Sequence, residues 1–252
     1  MKNSHTDANA VVDVCLLAGK IMLQSGAETY RVEDTMMRIA ASYGMEHSHS
    51  FVMPTGIIFS IDGLDPTKLV RITDRSTDLH KVAVVNSISR KISAGELTIK
   101  DAHQQFKQIE TAHEVYPIWF QILAAALASG CFLIMFQGQW HDFFYAVIAG
   151  GLGYTCMVYF HDLVKIKFFA EFLASFVIGM TSFLFIWAGF GLELDKIIIG
   201  SVMPLVPGLL ITNAVRDLMA GHLVSSLSKG AEAFLTAFAI GAGIAISIGF
   251  SF

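Results

Sequence analysis

Between Ile118 and Phe252 the sequence holds five long apolar stretches almost free of charge: 118–136, 143–160, 168–190, 197–212 and 233–252. A helix needs about 20 mostly apolar residues to cross the hydrocarbon core of a bilayer, and in lipid the backbone must satisfy its own hydrogen bonds. Each stretch therefore reads as a transmembrane helix. Glu171 lies one turn inside the third stretch, and no other Asp, Glu, Lys or Arg falls within any of the five. Trp119, Trp140 and Trp187 fall at or near their ends, where indole rings favour the headgroup region.

The first half of the chain has a different composition. Residues 1–117 carry 12 Lys+Arg and 14 Asp+Glu, leaving only 5 and 7 for residues 118–252. The expectation is a soluble part, 1–117, joined to a membrane part, 118–252. Apolar stripes predict helices over Val11–Gln24 and Glu28–Tyr43, and two more over Leu79–Ser93 and Thr98–Thr111. Thr98 followed by Asp101 is a capping signal. Phe51–Ile61 and Leu69–Thr73 read as two strands joined by a turn at Asp62–Pro66, with Pro54 marking an edge or a break in the first. His113–Trp119 is the expected hinge into the first span, since proline favours an extended residue before it. The fold class is thus a mainly α membrane protein, five transmembrane helices preceded by a small cytoplasmic α+β domain.

The cytoplasmic assignment comes from basic residues in the short loops. Lys165, Lys167, Arg216 and Lys229 flank the side that also holds residues 1–117, against Lys196 alone on the other. The positive-inside rule makes the first side cytoplasmic, with the C-terminus outside. The fifth span repeats small residues at Ala233, Ala237, Gly241, Ala245 and Gly249. That four-residue spacing allows close helix packing, within the chain or between subunits.

The fourth span is broken by Pro204 and Pro207-Gly208, because proline removes a helical N–H and clashes with the preceding turn. Discontinuous spans recur where transporters build their sites. Just beyond it stand Asn213, Arg216 and Asp217, and Arg216 is the one arginine after residue 117. A guanidinium matches a carboxylate bidentately, so Arg216 suits a carboxylate solute. It equally suits an ion pair within the chain or an anchor on the basic side.

Other chemistries find little support. A net charge of −4 argues against nucleic acid. No phosphate loop, dinucleotide fingerprint, H-E-x-x-H or G-x-S-x-G occurs, so neither enzyme activity nor a cofactor is expected. Three distant cysteines (Cys15, Cys131, Cys156) form no disulfide or metal pattern. His47 with His49, and Asp74, Asp78 and His80, read as solvated surface residues rather than a metal or catalytic site.

Two segments resemble a known family. GAETYRVEDTMMRIA (Gly26–Ala40) followed by FVMPTGIIFSI (Phe51–Ile61) is similar to the N-terminal signature of the threonine/serine exporter family. PLVPGLLITNAVRDLMAGH (Pro204–His222) with GAEA (Gly230–Ala233) is similar to the same family's second segment. The resemblance implies motif positions at Gly26, Glu28, Arg31, Pro54, Pro207, Gly208, Asn213, Arg216, Asp217 and Gly221. It also implies export of threonine and serine or of a C4 dicarboxylate such as succinate across the plasma (inner) membrane. By length and span number the chain resembles the larger subunit of the family's split members, whose partner is a smaller multi-span membrane subunit; a homo-oligomer is the other arrangement. Proton carriage would fall to Glu232, Asp217 or Asp162 at the cytoplasmic rim. A membrane sensor or scaffold that transports nothing is the rival reading.

Overall fold

The computed structural model describes residues 2–62, 67–112 and 116–250, with side chains from Ala8 onward. In chain order the helices and strands are α1 (Lys2–Gln24), α2 (Thr29–Ser42), β1 (Ser48–Met53), β2 (Gly56–Ile61), β3 (Lys68–Arg71), α3 (Leu79–Ser93) and α4 (Ile99–Thr111). They continue as α5 (Ile118–Met135), α6 (Phe143–Val164), α7 (Lys167–Trp187), α8 (Leu194–Val202), α9 (Gly208–Met219) and α10 (Leu223–Gly249). Residues 63–66 of the expected turn, 113–115 of the expected hinge and 251–252 of the fifth span lie outside the described residues.

Contacts divide the chain into two compact units, Met1–His113 with Leu209–Gly230, and Glu114–Gly208 with Ala231–Phe252. Residues 209–230, grouped by the sequence with the membrane part, therefore pack with the first unit. The reason is chemical: Asn213, Arg216, Asp217 and Lys229 all find their polar partners there.

The first unit has one apolar core. Val14, Cys15, Ala18 and Met22 of α1 meet Val32, Met36 and Ile39 of α2, Ile57 and Phe59 of β2, and Val85 and Phe106 of α3 and α4. A Cβ on Gly19 would come within 2.4 Å of Met36 Sδ, so glycine is what lets α1 and α2 close. The sheet is antiparallel in the order β1-β2-β3, which corrects the expectation of two strands. Met53 pairs with Gly56, so Phe51–Ile61 is a hairpin folded at Pro54-Thr55. Proline has no N–H for the ladder and belongs in the turn. Asp78 and Thr98 cap α3 and α4 through Lys81 N and Asp101 N, at 3.0 and 3.3 Å, so the capping signal at Thr98 is realised. Helix α1 begins nine residues before the predicted Val11. The apolar stripe marks what is buried, whereas the helix runs on because no Gly or Pro interrupts residues 2–10.

In the second unit α5, α6, α7 and α8 pack on one another through small residues. A Cβ on Gly150 would lie 2.0 Å from Ser129 Oγ, and one on Gly153 would lie 2.3 Å from Ile178. Trp119, Trp140 and Trp187 are 65%, 74% and 76% exposed, which suits rings reaching into lipid headgroups. Asp142 is fully buried and accepts the N–H groups of Leu192 and Glu193, each at 2.9 Å, fastening the loop before α8. Among the described residues, four helices are long and apolar enough to cross a membrane, or up to five if the interrupted Leu194–Leu205 and Gly208–Met219 pair is one span. This pair is interrupted, as Pro204 and Pro207 require: α8 stops at Val202, a 3-10 turn covers Met203–Leu205, and α9 starts at Gly208. The helical segments run from Leu194 to Met219 rather than over 197–212. On α10 the packed face shares only Ala233 with the stripe of small residues. Ala233, Thr236, Ile240 and Ser247 are buried, whereas Gly241 and Gly249 have open space around them.

Candidate functional site

The first unit brings together two segments almost 190 residues apart in sequence. Helix α1 ends at Gln24, and Gly26 turns the chain with φ +86°, a left-handed conformation that glycine adopts without a Cβ penalty. Glu28 follows as the residue before α2, with φ −64° and ψ 140°, and its side chain does not cap the helix. Instead its carboxylate accepts from two guanidinium groups: Arg31 Nη1 at 3.1 Å on Oε2, and Arg216 Nη1 on Oε1. Burial opposes ionisation of Glu28, but a backbone hydrogen bond and the two arginines outweigh it and hold the carboxyl below its ordinary value.

With Glu28 turned away, another group caps α2. Asp217 Oδ1 accepts Thr29 N at 2.9 Å, and Oδ2 accepts Thr29 Oγ1 at 2.9 Å and Lys229 Nζ at 2.7 Å. Lys229 also donates to Thr29 Oγ1 at 3.1 Å. Asp217 is fully buried and Lys229 is 4% exposed, so this ion pair lies inside the protein with its hydrogen bonds made. Ser225 Oγ sits 3.0 Å from Thr29 Oγ1, and Asn213 Nδ2 donates to Gly26 O at 2.9 Å. Glu33 accepts Val52 N at 2.8 Å and has His222 Nδ1 at 3.8 Å; burial raises its carboxyl above the usual range despite these contacts.

Beside this junction is a cavity of about 330 Å³. Gly26, Glu28, Arg31, Asn213 and Arg216 supply its polar wall, and Leu79, Val82 and Leu209 its apolar one. Two guanidiniums against one carboxylate leave the polar wall with a net positive charge. The Arg216 side chain is 55% exposed and that of Arg31 39%, so both have donors left for a bound anion. Of the sequence candidates, Gly26, Glu28, Arg31, Asn213 and Arg216 are thus assembled. Asp217 lies behind them as a cap, Pro54 makes the hairpin turn, and Gly221 (φ +86°) turns the chain between α9 and α10. Pro207 and Gly208 mark the break and do not line the cavity. The sequence reading passed over Thr29, Ser225 and Lys229. The signal available was the four-residue spacing of Ser225 and Lys229, which puts both on one helix face, although Ser226, Ser228 and Glu232 nearby make that stretch read as polar all round. Among the described residues no group of three acidic, His or Cys side chains could hold a metal.

Four long apolar helices make this a multi-pass membrane protein. The family described as "Putative threonine/serine exporter" matches residues 13–251, and the chain belongs to that family, one of transporters. Its relatives include a protein of Klebsiella aerogenes named "Probable succinate transporter subunit YjjP", 27% identical over 98% of this chain and 96% of that protein. The protein of the same name in Escherichia coli K12 is 28% identical over 95% of this chain and 94% of its own. A "Probable threonine/serine exporter" of Mycobacterium tuberculosis is 23% identical over 94% of this chain but only 46% of its own length. No solved structure gives a significant match.

Proposed function

We propose that the chain is the larger subunit of a secondary exporter in the plasma membrane. It would move threonine, serine or a C4 dicarboxylate such as succinate out of the cell. The observation that carries this reading is the cavity at Gly26–Arg31 and Asn213–Arg216, whose polar wall has two arginines and one carboxylate. In this reading Arg216 binds the solute carboxylate, Asn213 and Glu28 orient it, and Asp217 holds α9 in register. The Pro207-Gly208 break gives the chain a joint at which a gate could move. Basic residues in the short loops favour a cytoplasmic N-terminus and an outer C-terminus.

Two relatives named as transporter subunits support a membrane partner. The Mycobacterium tuberculosis relative supports it differently, since this chain accounts for 46% of its length and leaves room for a second membrane half. The test is efflux of radiolabelled threonine, serine and succinate from preloaded cells, with this chain alone and together with a candidate smaller membrane subunit of the same family. Efflux of one solute only when both are present supports the two-subunit exporter and selects the solute. Efflux with this chain alone favours a homo-oligomer. Absence of efflux with both proteins in the membrane refutes transport and favours a sensor.

A further inference from the structure

We infer that Glu171 and Thr236 form the proton-binding site that couples export to the proton gradient, an assignment that rests on the transport reading above. Glu171 lies near the start of α7 and is only 5% exposed, and Thr236 of α10 is fully buried. Glu171 Oε2 and Thr236 Oγ1 are both enclosed and lack a well-formed hydrogen bond, and the group the Glu171 carboxyl faces across the seam is the Thr236 hydroxyl. Buried polar groups in a folded chain are nearly always paired. An ionisable residue inside a membrane span is costly and marks a working site by default.

The surroundings suit a proton. The charged or titratable groups facing Glu171 are Lys167 on its own helix, Glu232 on α10 and His161 on α6. Lys167 Nζ holds Glu232 Oε1 at 3.0 Å, with the lysine side chain 44% exposed. Lys167 and Glu171 are four residues apart on α7, as are Glu232 and Thr236 on α10, so the solvent-reaching ion pair sits one turn outside the buried pair. Protons therefore have a short polar route to Glu171.

Farther along the same seam the two helices close on each other. A Cβ on Gly243 would lie 2.2 Å from Ser175 Oγ and 2.4 Å from Phe172 O, and one on Gly179 would lie 1.9 Å from Ser247 Oγ. A proton held at Glu171 can go deeper only if α7 and α10 separate, which ties its passage to a conformational change. A metal cation would need several oxygen ligands, and no cluster of three acidic, His or Cys side chains exists among the described residues. A proton needs one carboxylate.

The experiment compares two fluxes in cells carrying the full-length chain and its membrane partner, with labelled threonine, serine and succinate as probes. Net efflux is measured with the proton gradient intact and after a protonophore. Exchange of internal label for external unlabelled solute is measured alongside. The inference expects Glu171→Gln to lose the gradient-dependent part of net efflux by roughly tenfold or more while exchange stays within about twofold, with Glu171→Asp retaining part of the coupling. Thr236→Val should weaken coupling in the same direction. A Glu171→Gln protein with normal gradient dependence overturns the assignment. So does one that loses net efflux and exchange equally at normal abundance in the membrane. If the unmutated protein moves none of the three solutes, the transport reading itself fails, and this role with it.

Discussion

Asp217 caps a helix that begins 188 residues earlier in the chain: its Oδ1 accepts the N–H of Thr29, the first residue of α2, at 2.9 Å. The first N–H groups of any helix lack partners within it, and a carboxylate there also meets the favourable end of the helix dipole. Glu28 occupies the position from which a side chain normally caps, yet its carboxylate is turned toward Arg31 and Arg216. One acid caps in place of another, and the displaced acid becomes part of the cavity wall.

The buried pair beneath that cap should be strongly coupled. Removing one member of a buried ion pair costs about 3–5 kcal/mol, because the other charge is left unpaired. Asp217→Asn and Lys229→Met should each lower the thermal midpoint of the detergent-solubilised protein markedly. The double variant should lose less than the sum of the two, by roughly 1 kcal/mol or more. Additive losses would show that the two side chains do not act together.

Two glycines on α10 should respond oppositely to the same substitution. Gly243→Ala places a Cβ 2.4 Å from the Phe172 carbonyl oxygen, a backbone atom that cannot swing aside. It should destabilise by about 1–3 kcal/mol, as overpacking does. Gly241→Ala meets nothing within 4 Å and removes a glycine from a helix interior, so it should be neutral or stabilising by up to about 1 kcal/mol. Thermal unfolding of the two variants checks the seam between α7 and α10.

The Glu28 carboxyl lies below its ordinary value of 4.5, which sets a pH signature. A carboxyl depressed in the folded state contributes stability that is present above the unfolded value and is lost as pH falls through the folded one. The difference in thermal midpoint between the native protein and Glu28→Gln should therefore be flat at neutral pH. It should shrink only as the medium is acidified below about 4.5. A difference that grows on acidification would contradict the double-arginine contact.

The spans were legible because composition alone reports them: 118–136 becomes Ile118–Met135 and 168–190 becomes Lys167–Trp187, while in the first unit the apolar stripe over Leu79–Ser93 gave that helix with both ends as predicted. Pro54 signalled a break, yet the hairpin it creates depends on the pairing of Met53 with Gly56. The small-residue stripe was visible, but not which face of α10 is packed, since Thr236 and Ser247 look less suited to a helix interface than Gly241 and Ala245. The junction of Gly26–Thr29 with Asn213–Lys229 was hidden for a different reason. Periodicity describes neighbours on one element, whereas Thr29 and Asp217 meet through the packing of two distant ones. The resemblance to the exporter family marked both segments without saying that they touch, and Lys229 registered only as a basic residue in a loop.

The most direct measurement is the solute-concentration dependence of efflux for Arg216→Ala and Arg216→Lys against the unmutated chain, at matched membrane abundance. A hydrogen bond to a charged group is worth about 1.5–3 kcal/mol. Arg216→Ala should therefore raise the half-saturating internal concentration by roughly tenfold or more, with Arg216→Lys between the two because it keeps the charge and loses the planar fork. An unchanged half-saturating concentration and rate in Arg216→Ala would contradict the account.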